Sequence, residues 1–342
     1  MDQPLFSMIA RSLREQRGNL LEWVKSASST EKAVRLGKNS EDALREHLRV
    51  LDDAVEKADS AELGRCTVCH DHVESHWLEV DYTTCICLSH LTGEERSRLE
   101  AELELSQKVQ RALLPQVLPD IEGLRLGAYI QPASIVGGDY FDFLTFGDGN
   151  PAMVIADVMG KGVPASMLVA NLQAYLRVLV PESESPEQVL ARLNRLFCHN
   201  IQLTKFVTLV LIKVLPGSHG LEYANAGHNP PLFLPKGAKT VDEAITLLPT
   251  GAAIGLVEHA TFTSRRIPLA EGDSLVLYTD GVVEARGADE EQFGEHRLIH
   301  YALRNLTRSP EEMIRGLKEE LNLFSRGGAF ADDTTILVAR RT

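Results

Sequence analysis

The sequence predicts an α+β fold in which antiparallel β-sheet is covered by helices, preceded by a helical region and a small cysteine-rich module. Three observations carry this. From about residue 120 onward, short segments enriched in β-branched and aromatic residues are bounded by turn residues: LRLGAYIQP, YFDFLTF, PAMVIADV, FVTLVLIKVL, LEYANA, PLFLP, DSLVLYT and TTILVARR. Helical patterns at about 164–180, 186–202, 295–306 and 310–325 fall between these strands in pairs, whereas a parallel barrel alternates single strands with single helices. Finally, 342 residues with 44% apolar and 24% charged side chains are enough for two domains and a sizeable core.

Taken in order, residues 1–62 are expected to form a helical hairpin or short coiled coil. Helical periodicity runs through 5–27 and 40–58, where Leu44, Leu48, Leu51 and Val55 recur at three- and four-residue steps. Residues 63–92 hold four of the five cysteines and form the second module. Residues 93–115 are expected to be a linker helix, with Thr92 as N-cap, Glu95 three positions on and Pro115 as the stop. Its Leu99, Leu103, Leu105, Val109, Ala112 and Leu113 suit either a core-facing stripe or the pairing of two copies into a homodimer. Residues 116–342 make the β-rich domain, with hairpin turns expected at GDGN (147–150) and PGSHG (216–220).

A net charge of −13 argues against a protein built to neutralise nucleic-acid phosphates, which requires an excess of Lys and Arg. The N-terminus MDQPLFSMIA lacks the pattern of a secretory signal, and no stretch reaches the ~20 apolar residues of a membrane span. The expected location is therefore the cytoplasm, with no membrane partner. In that compartment, crowded cysteines point to a metal before a disulfide.

Function is most legible in the acids that interrupt apolar strands. Asp139 follows two glycines at the start of YFDF, Asp157 ends PAMVIADV, Asp280 ends SLVLYT, and Asp332 and Asp333 precede TTILVA. Each alone is compatible with a turn, since Asp and Gly dominate turns, and Asp280-Gly281 between alternating apolar residues is a strong hairpin signal. Together they place several carboxylates at strand ends, where mutual repulsion is severe unless cations neutralise it. The chain carries no GxSxG, no GxxxxGK[ST] and no HExxH, so the common serine-hydrolase, nucleotide-binding and zinc-protease signatures find no support.

In order, GGDY, ADVMGKG, NAGHNPP, YTDGVVEA and DDTT resemble the catalytic domain of metal-dependent protein phosphatases, the PPM superfamily, in its bacterial SpoIIE/RsbU form. The resemblance covers about 105–342 and includes the VQRALLP lead-in. It implies a PPM-type α-β-β-α sandwich of two antiparallel sheets flanked by helices. It also implies a centre of two Mn²⁺ or Mg²⁺ ions held by Asp139, Asp157 with the Val158 carbonyl, Asp280 and Asp332, with Asp333 in support and Gly138 allowing close backbone approach. Such a paired site supplies an activated water for in-line attack on phosphorus and neutralises phosphate charge, so no protein nucleophile is required. His228, in NAGHNPP, reads as a structural histidine beside a proline turn rather than a general acid.

The spacing Cys66-x₂-Cys69-x₁₇-Cys87-x₂-His90 suits one structural Zn²⁺, with Cys85 as an alternative third ligand. This stretch resembles the TraR/DksA type of zinc finger, including Leu78-Glu79 at a matching offset, and departs from it in having His90 where that family usually has cysteine. Cys198, in an apolar-periodic stretch, reads as a small buried hydrophobe.

The resulting expectation is a protein serine/threonine phosphatase regulated by its N-terminal zinc module. By resemblance, its substrate is a phosphorylated STAS-domain anti-sigma-factor antagonist in partner-switching signalling. The rival reading is a zinc-finger transcription regulator, or a scaffold for RNA polymerase or a signalling partner, with a silent phosphatase-like domain. Retention of Asp139, Asp157, Asp280 and Asp332 speaks against the silent domain.

Overall fold

A computed structural model describes residues 13, 14, 17, 18, 21, 25, 40–60, 62–73, 86–160, 162–200, 206–215, 220–287, 290–326 and 332–342. The chain divides into two compact units, residues 1–102 and 103–342.

In the first unit, helix α1 (Ser40–Asp59) turns Leu51 and Ala54 toward Leu13 and Leu63, and these four make a small buried cluster. Arg14 and Arg17 pair with Asp59 and Asp52. A second cluster, Cys66, Val73 and Cys87, forms the heart of the cysteine module, where Cys87 precedes a single 3₁₀ turn, Leu88–His90. Helix α2 (Gly93–Leu113) begins where Thr92 and Glu95 cap one another: the Thr92 amide donates to Glu95 Oε2 at 2.9 Å and the Glu95 amide to Thr92 Oγ1 at 3.3 Å.

The second unit contains two five-stranded antiparallel sheets. Its strands are β1 (Leu124–Gln131), β2 (Asp139–Thr145), β3 (Pro151–Val158), β4 (Val207–Leu215), β5 (Gly220–Ala226), β6 (Leu232–Leu234), β7 (Ile245–Thr246), β8 (Arg265–Pro268), β9 (Ser274–Tyr278) and β10 (Thr334–Arg341). One sheet has the order β1-β10-β9-β6-β7, the other β2-β3-β4-β5-β8. Between the sheets, Phe141, Met153, Ile155, Val210 and Ile212 meet Leu126, Phe233, Leu275, Leu277 and Leu337. Because side chains alternate along a strand, Tyr140, Val154, Ala156, Leu209 and Leu211 face the other way. They pack on α3 (Gly162–Leu179) and α4 (Pro186–Asn200) through Leu172, Leu176, Leu190 and Phe197. The outer face of the first sheet is covered likewise by α6 (Gly294–Arg304) and α7 (Pro310–Phe324), where Val276, Ile336 and Val338 meet Leu298, Met313 and Leu317.

This is the α-β-β-α sandwich of the sequence expectation. Strands buried on both faces explain why PAMVIADV and TTILVARR read as near-continuous apolar runs. GDGN does turn a hairpin, with the Phe146 amide donating to the Asn150 carbonyl at 2.9 Å between β2 and β3. Asp280-Gly281 does not. The chain instead enters a one-turn helix, α5 (Asp280–Val283), because β9 takes its partners from β10 and β6 rather than from the segment next in the chain. No helix among the described residues is long and apolar enough to cross a membrane.

Candidate metal centres

Pairing of β2 with β3 sets Asp139 directly opposite Asp157. In an antiparallel pair such partners lie on one face of the sheet, and like charges there repel. Asp139 is buried, 3% exposed, and its Oδ2 accepts hydrogen bonds from Thr279 Oγ1 at 2.7 Å and Thr335 Oγ1 at 2.6 Å. Those two threonines belong to the other sheet's side of the sandwich: Thr279 follows β9 and Thr335 is the second residue of β10. They are joined in turn, the Thr335 amide donating to Thr279 Oγ1 at 2.9 Å. A carboxylate of one sheet is thus pinned by hydroxyls of the other, which brings Asp280, next to Thr279, and the Asp332-Asp333 pair to the same end of the sandwich.

Burial pushes the Asp139 carboxyl well above the usual carboxylate range; the Asp157 charge, and then that of Asp333, push further, against the opposing pull of the two hydroxyls. Asp333 is raised too, first by burial, although the amides of Ala133 and Gly138 draw it down. These amides occupy both of its oxygens: Ala133 donates to Oδ1 at 2.7 Å and Gly138 to Oδ2 at 2.6 Å. Asp333 therefore braces the loop ahead of Asp139, using one lone pair on each of its oxygens. Asp332 takes one such bond, from the Asp333 amide to Oδ1 at 2.9 Å, and is only partly buried.

Backbone approach completes the cluster. A Cβ on Gly138 would lie 2.6 Å from the Val158 carbonyl oxygen and 3.2 Å from that of Gly160, so only glycine lets this loop close on the end of β3. The donors are all oxygen, several carboxylates and one main-chain carbonyl, with Asp139 buried and Asp157, Asp280 and Asp332 partly buried. That is the chemistry of a hard divalent cation site, so these residues fit Mg²⁺ or Mn²⁺.

Three contributors escape sequence reasoning: Thr279, Thr335 and Gln110. Gln110, buried on α2, clamps the loop before Asp139 from both sides, its Nε2 donating to the Gly137 carbonyl at 2.6 Å and its Oε1 accepting from the Gly137 amide at 3.0 Å. The only trace in the sequence is position, since both threonines flank the acids in YTD and DDTT and Gln110 lies in VQRALLP.

In the first unit, Cys66, Cys69, Cys87 and His90 bring their ligand atoms within 4.8 Å of one another, a closeness that no three of the strand-end carboxylates reach among the described residues. Cys66 Sγ lies 3.5 Å from His90 Nδ1, and Cys69 Sγ lies 3.7 Å from Cys87 Sγ. Burial raises the Cys66 thiol, but the amides of Cys69, Cys87 and Val68, together with His90, outweigh it and bring the thiol down to about 5. Burial and the two neighbouring sulfurs push Cys87 up to about 12. Three sulfurs at this range share their charge poorly without a cation, and an S₃N set suits tetrahedral Zn²⁺. Cys85, Leu78 and Glu79 lie outside the described residues.

The comparisons with known proteins agree with the second unit. The family described as Stage II sporulation protein E (SpoIIE) matches residues 147–342, a span that holds Asp157, Val158, Asp280, Asp332 and Asp333 but begins after Asp139 and the cysteine module. Over 268 residues the chain is 30% identical to Protein IcfG of Synechocystis, a match covering 70% of this chain and 41% of that protein. Phosphoserine phosphatase RsbU of Bacillus subtilis is 29% identical over 247 residues, 72% of each chain. The chain thus spans less than half of one of these relatives and under three quarters of the other. Among solved structures, the SiaA-PP2C domain of Pseudomonas aeruginosa superposes with a TM-score of 0.64 at 21% identity, covering 72% of this chain and 98% of that domain, a likeness of fold.

Proposed function

Because the chain belongs to the SpoIIE family, we propose that it is a metal-dependent protein serine/threonine phosphatase acting in partner switching on a phosphorylated STAS-domain protein. The observation that supports the reading is Asp139, set opposite Asp157 and bonded to Thr279 and Thr335, the threonines that neighbour Asp280 and the Asp332-Asp333 pair in the chain. The RsbU name of one relative supports the serine specificity and the partner-switching setting.

Asp157, the Val158 carbonyl, Asp280, Asp332 and Oδ1 of Asp139 would hold two Mg²⁺ or Mn²⁺ ions. When bound, such a pair supplies an activated water and offsets the charge of a phosphate ester. The chain's own residues do the positioning. Thr279 and Thr335 fix the rotamer of Asp139, and Asp333 holds the amides of Ala133 and Gly138 so that the loop lies against Val158. A phosphorylated STAS-domain protein is expected to lose its phosphate with Mn²⁺ and to keep it with chelator. Its retention while an unrelated phosphoserine protein is dephosphorylated would refute the STAS assignment alone.

The reading extends to the N-terminal unit, with one structural Zn²⁺ on Cys66, Cys69, Cys87 and His90 and a regulatory role for that module. Support comes from α2, which follows the module in the chain and carries the Gln110 clamp on the Gly137 loop. Two copies would pair through α2, where Leu105 and Val109, one turn apart, are 61% and 55% exposed. In full-length protein, Cys69→Ser is expected to abolish the single equivalent of bound zinc and to shift the phosphatase rate. Loss of zinc with an unchanged rate and unchanged metal dependence would exclude regulation through this module.

A further inference from the structure

Asp157 and Val158 depend on more than their own strand. Thr208 on β4 is the cross-strand partner of Asp157, and its Oγ1 donates to the Asp157 carbonyl at 3.4 Å while lying 2.8 Å from His228 Nδ1. His228 is 2% exposed in the loop after β5, and Asn225 fixes its backbone from both sides. The Asn225 Nδ2 donates to the His228 carbonyl at 3.1 Å, and the His228 amide donates to Asn225 Oδ1 at 2.8 Å. Asn225 is fully buried and also binds the Leu247 carbonyl at 3.2 Å, so the ring hangs from an immobile frame.

Proton accounting then limits what this chain of groups does. Burial brings the imidazole down to about 4, so the ring is neutral near pH 7 and carries one N–H. A hydrogen bond with the Tyr278 backbone opposes that shift in part. A threonine hydroxyl has a single hydrogen. If it were given to Nδ1, the Asp157 carbonyl would lose its donor. If Nδ1 carries the proton and donates to Thr208 Oγ1, the hydroxyl hydrogen is free for the Asp157 carbonyl.

We propose that His228, as its Nδ1–H tautomer, is a positioning residue for the metal centre. It orients the Thr208 hydroxyl onto the Asp157 carbonyl and so fixes the end of β3 from which Asp157 and Val158 offer their oxygens. This rests on the metal-dependent reading of the site, and it gives His228 a role distinct from acid or base.

Two measurements on the full chain test it. Side-chain ¹⁵N spectra of the metal-free protein are expected to show Nε2 of His228 unprotonated and unchanged between about pH 6 and 8. Mn²⁺ affinity, read by calorimetry, is expected to fall roughly 10- to 100-fold in Thr208→Val and His228→Gln, the range for groups that orient metal ligands. His228→Asn, whose Nδ2 takes the place of Nδ1–H, should stay within about threefold of wild type on the same argument. A protonated Nε2, or wild-type affinity in both Thr208→Val and His228→Gln, would overturn the assignment. Wild-type protein without Mn²⁺ affinity would instead remove the metal-centre reading on which it stands.

Discussion

Asp280→Asn is expected to reduce Mn²⁺-dependent phosphate release by roughly 10³-fold or more, because a divalent ion at such a site contributes several kcal/mol of charge stabilisation. Asparagine keeps the shape of the side chain and removes the anionic oxygen. The backbone bond that starts α5, from the Glu284 amide to the Asp280 carbonyl at 2.7 Å, does not involve the side chain and survives the change. Neighbouring Thr279 continues to hold Asp139. The variant should therefore fold and melt as wild type does while losing activity. Activity near wild type would remove Asp280 from the metal centre.

Gly281→Ala is expected to lose both stability and activity. A Cβ at this position would collide with the Asp333 carbonyl oxygen and lie 2.9 Å from its carbon and 3.1 Å from Thr334 Oγ1. The nearest obstacles are main chain, so no side chain can swing aside; α5 and the start of β10 must separate. Overpacking of this kind costs about 1–3 kcal/mol or more, which for a domain of this size lowers Tm by roughly 2–12 °C. The displaced segments carry Asp280 on one side and Asp332 on the other, so the loss of activity should exceed what reduced folding explains. Gly93→Ala, with nothing within 4 Å of the new Cβ, is the control and should leave both quantities unchanged.

These two residues also show how far the sequence can be read. Asp280-Gly281 between apolar residues carries a local signature of a hairpin, and the structure makes a helical turn there because β9 is paired by β6 and β10, which are distant in the chain. The aspartates stand out in the sequence because a charge at the end of an apolar strand has few bland explanations once several recur. Thr279 and Thr335 do not, since threonine is an ordinary strand residue; what distinguishes them is a shared bond to Asp139, 140 and 196 positions away. Gln110 was hidden for the same reason, as a polar residue inside a helix whose partner is a loop amide 27 positions on. Strand β8, RRIP, was missed because it is an edge strand of only four residues with two arginines, whose pairing with β5 depends on Leu221 and Tyr223 meeting Ile267 and Arg265. In the first unit, cysteine spacing indicated Cys66, Cys69, Cys87 and His90 with Cys85 as the alternative, and the structure draws the first four together, because metal ligation is one of the few constraints written in local sequence.

The most direct test of the central claim, that the strand-end carboxylates form a two-ion centre, is the Mn²⁺ stoichiometry and electron paramagnetic resonance of the wild-type full chain, measured with the zinc module loaded. Two bound Mn²⁺ ions per chain with the spectrum of a spin-coupled pair are predicted; no bound ion, or two ions that remain magnetically isolated, would contradict the account.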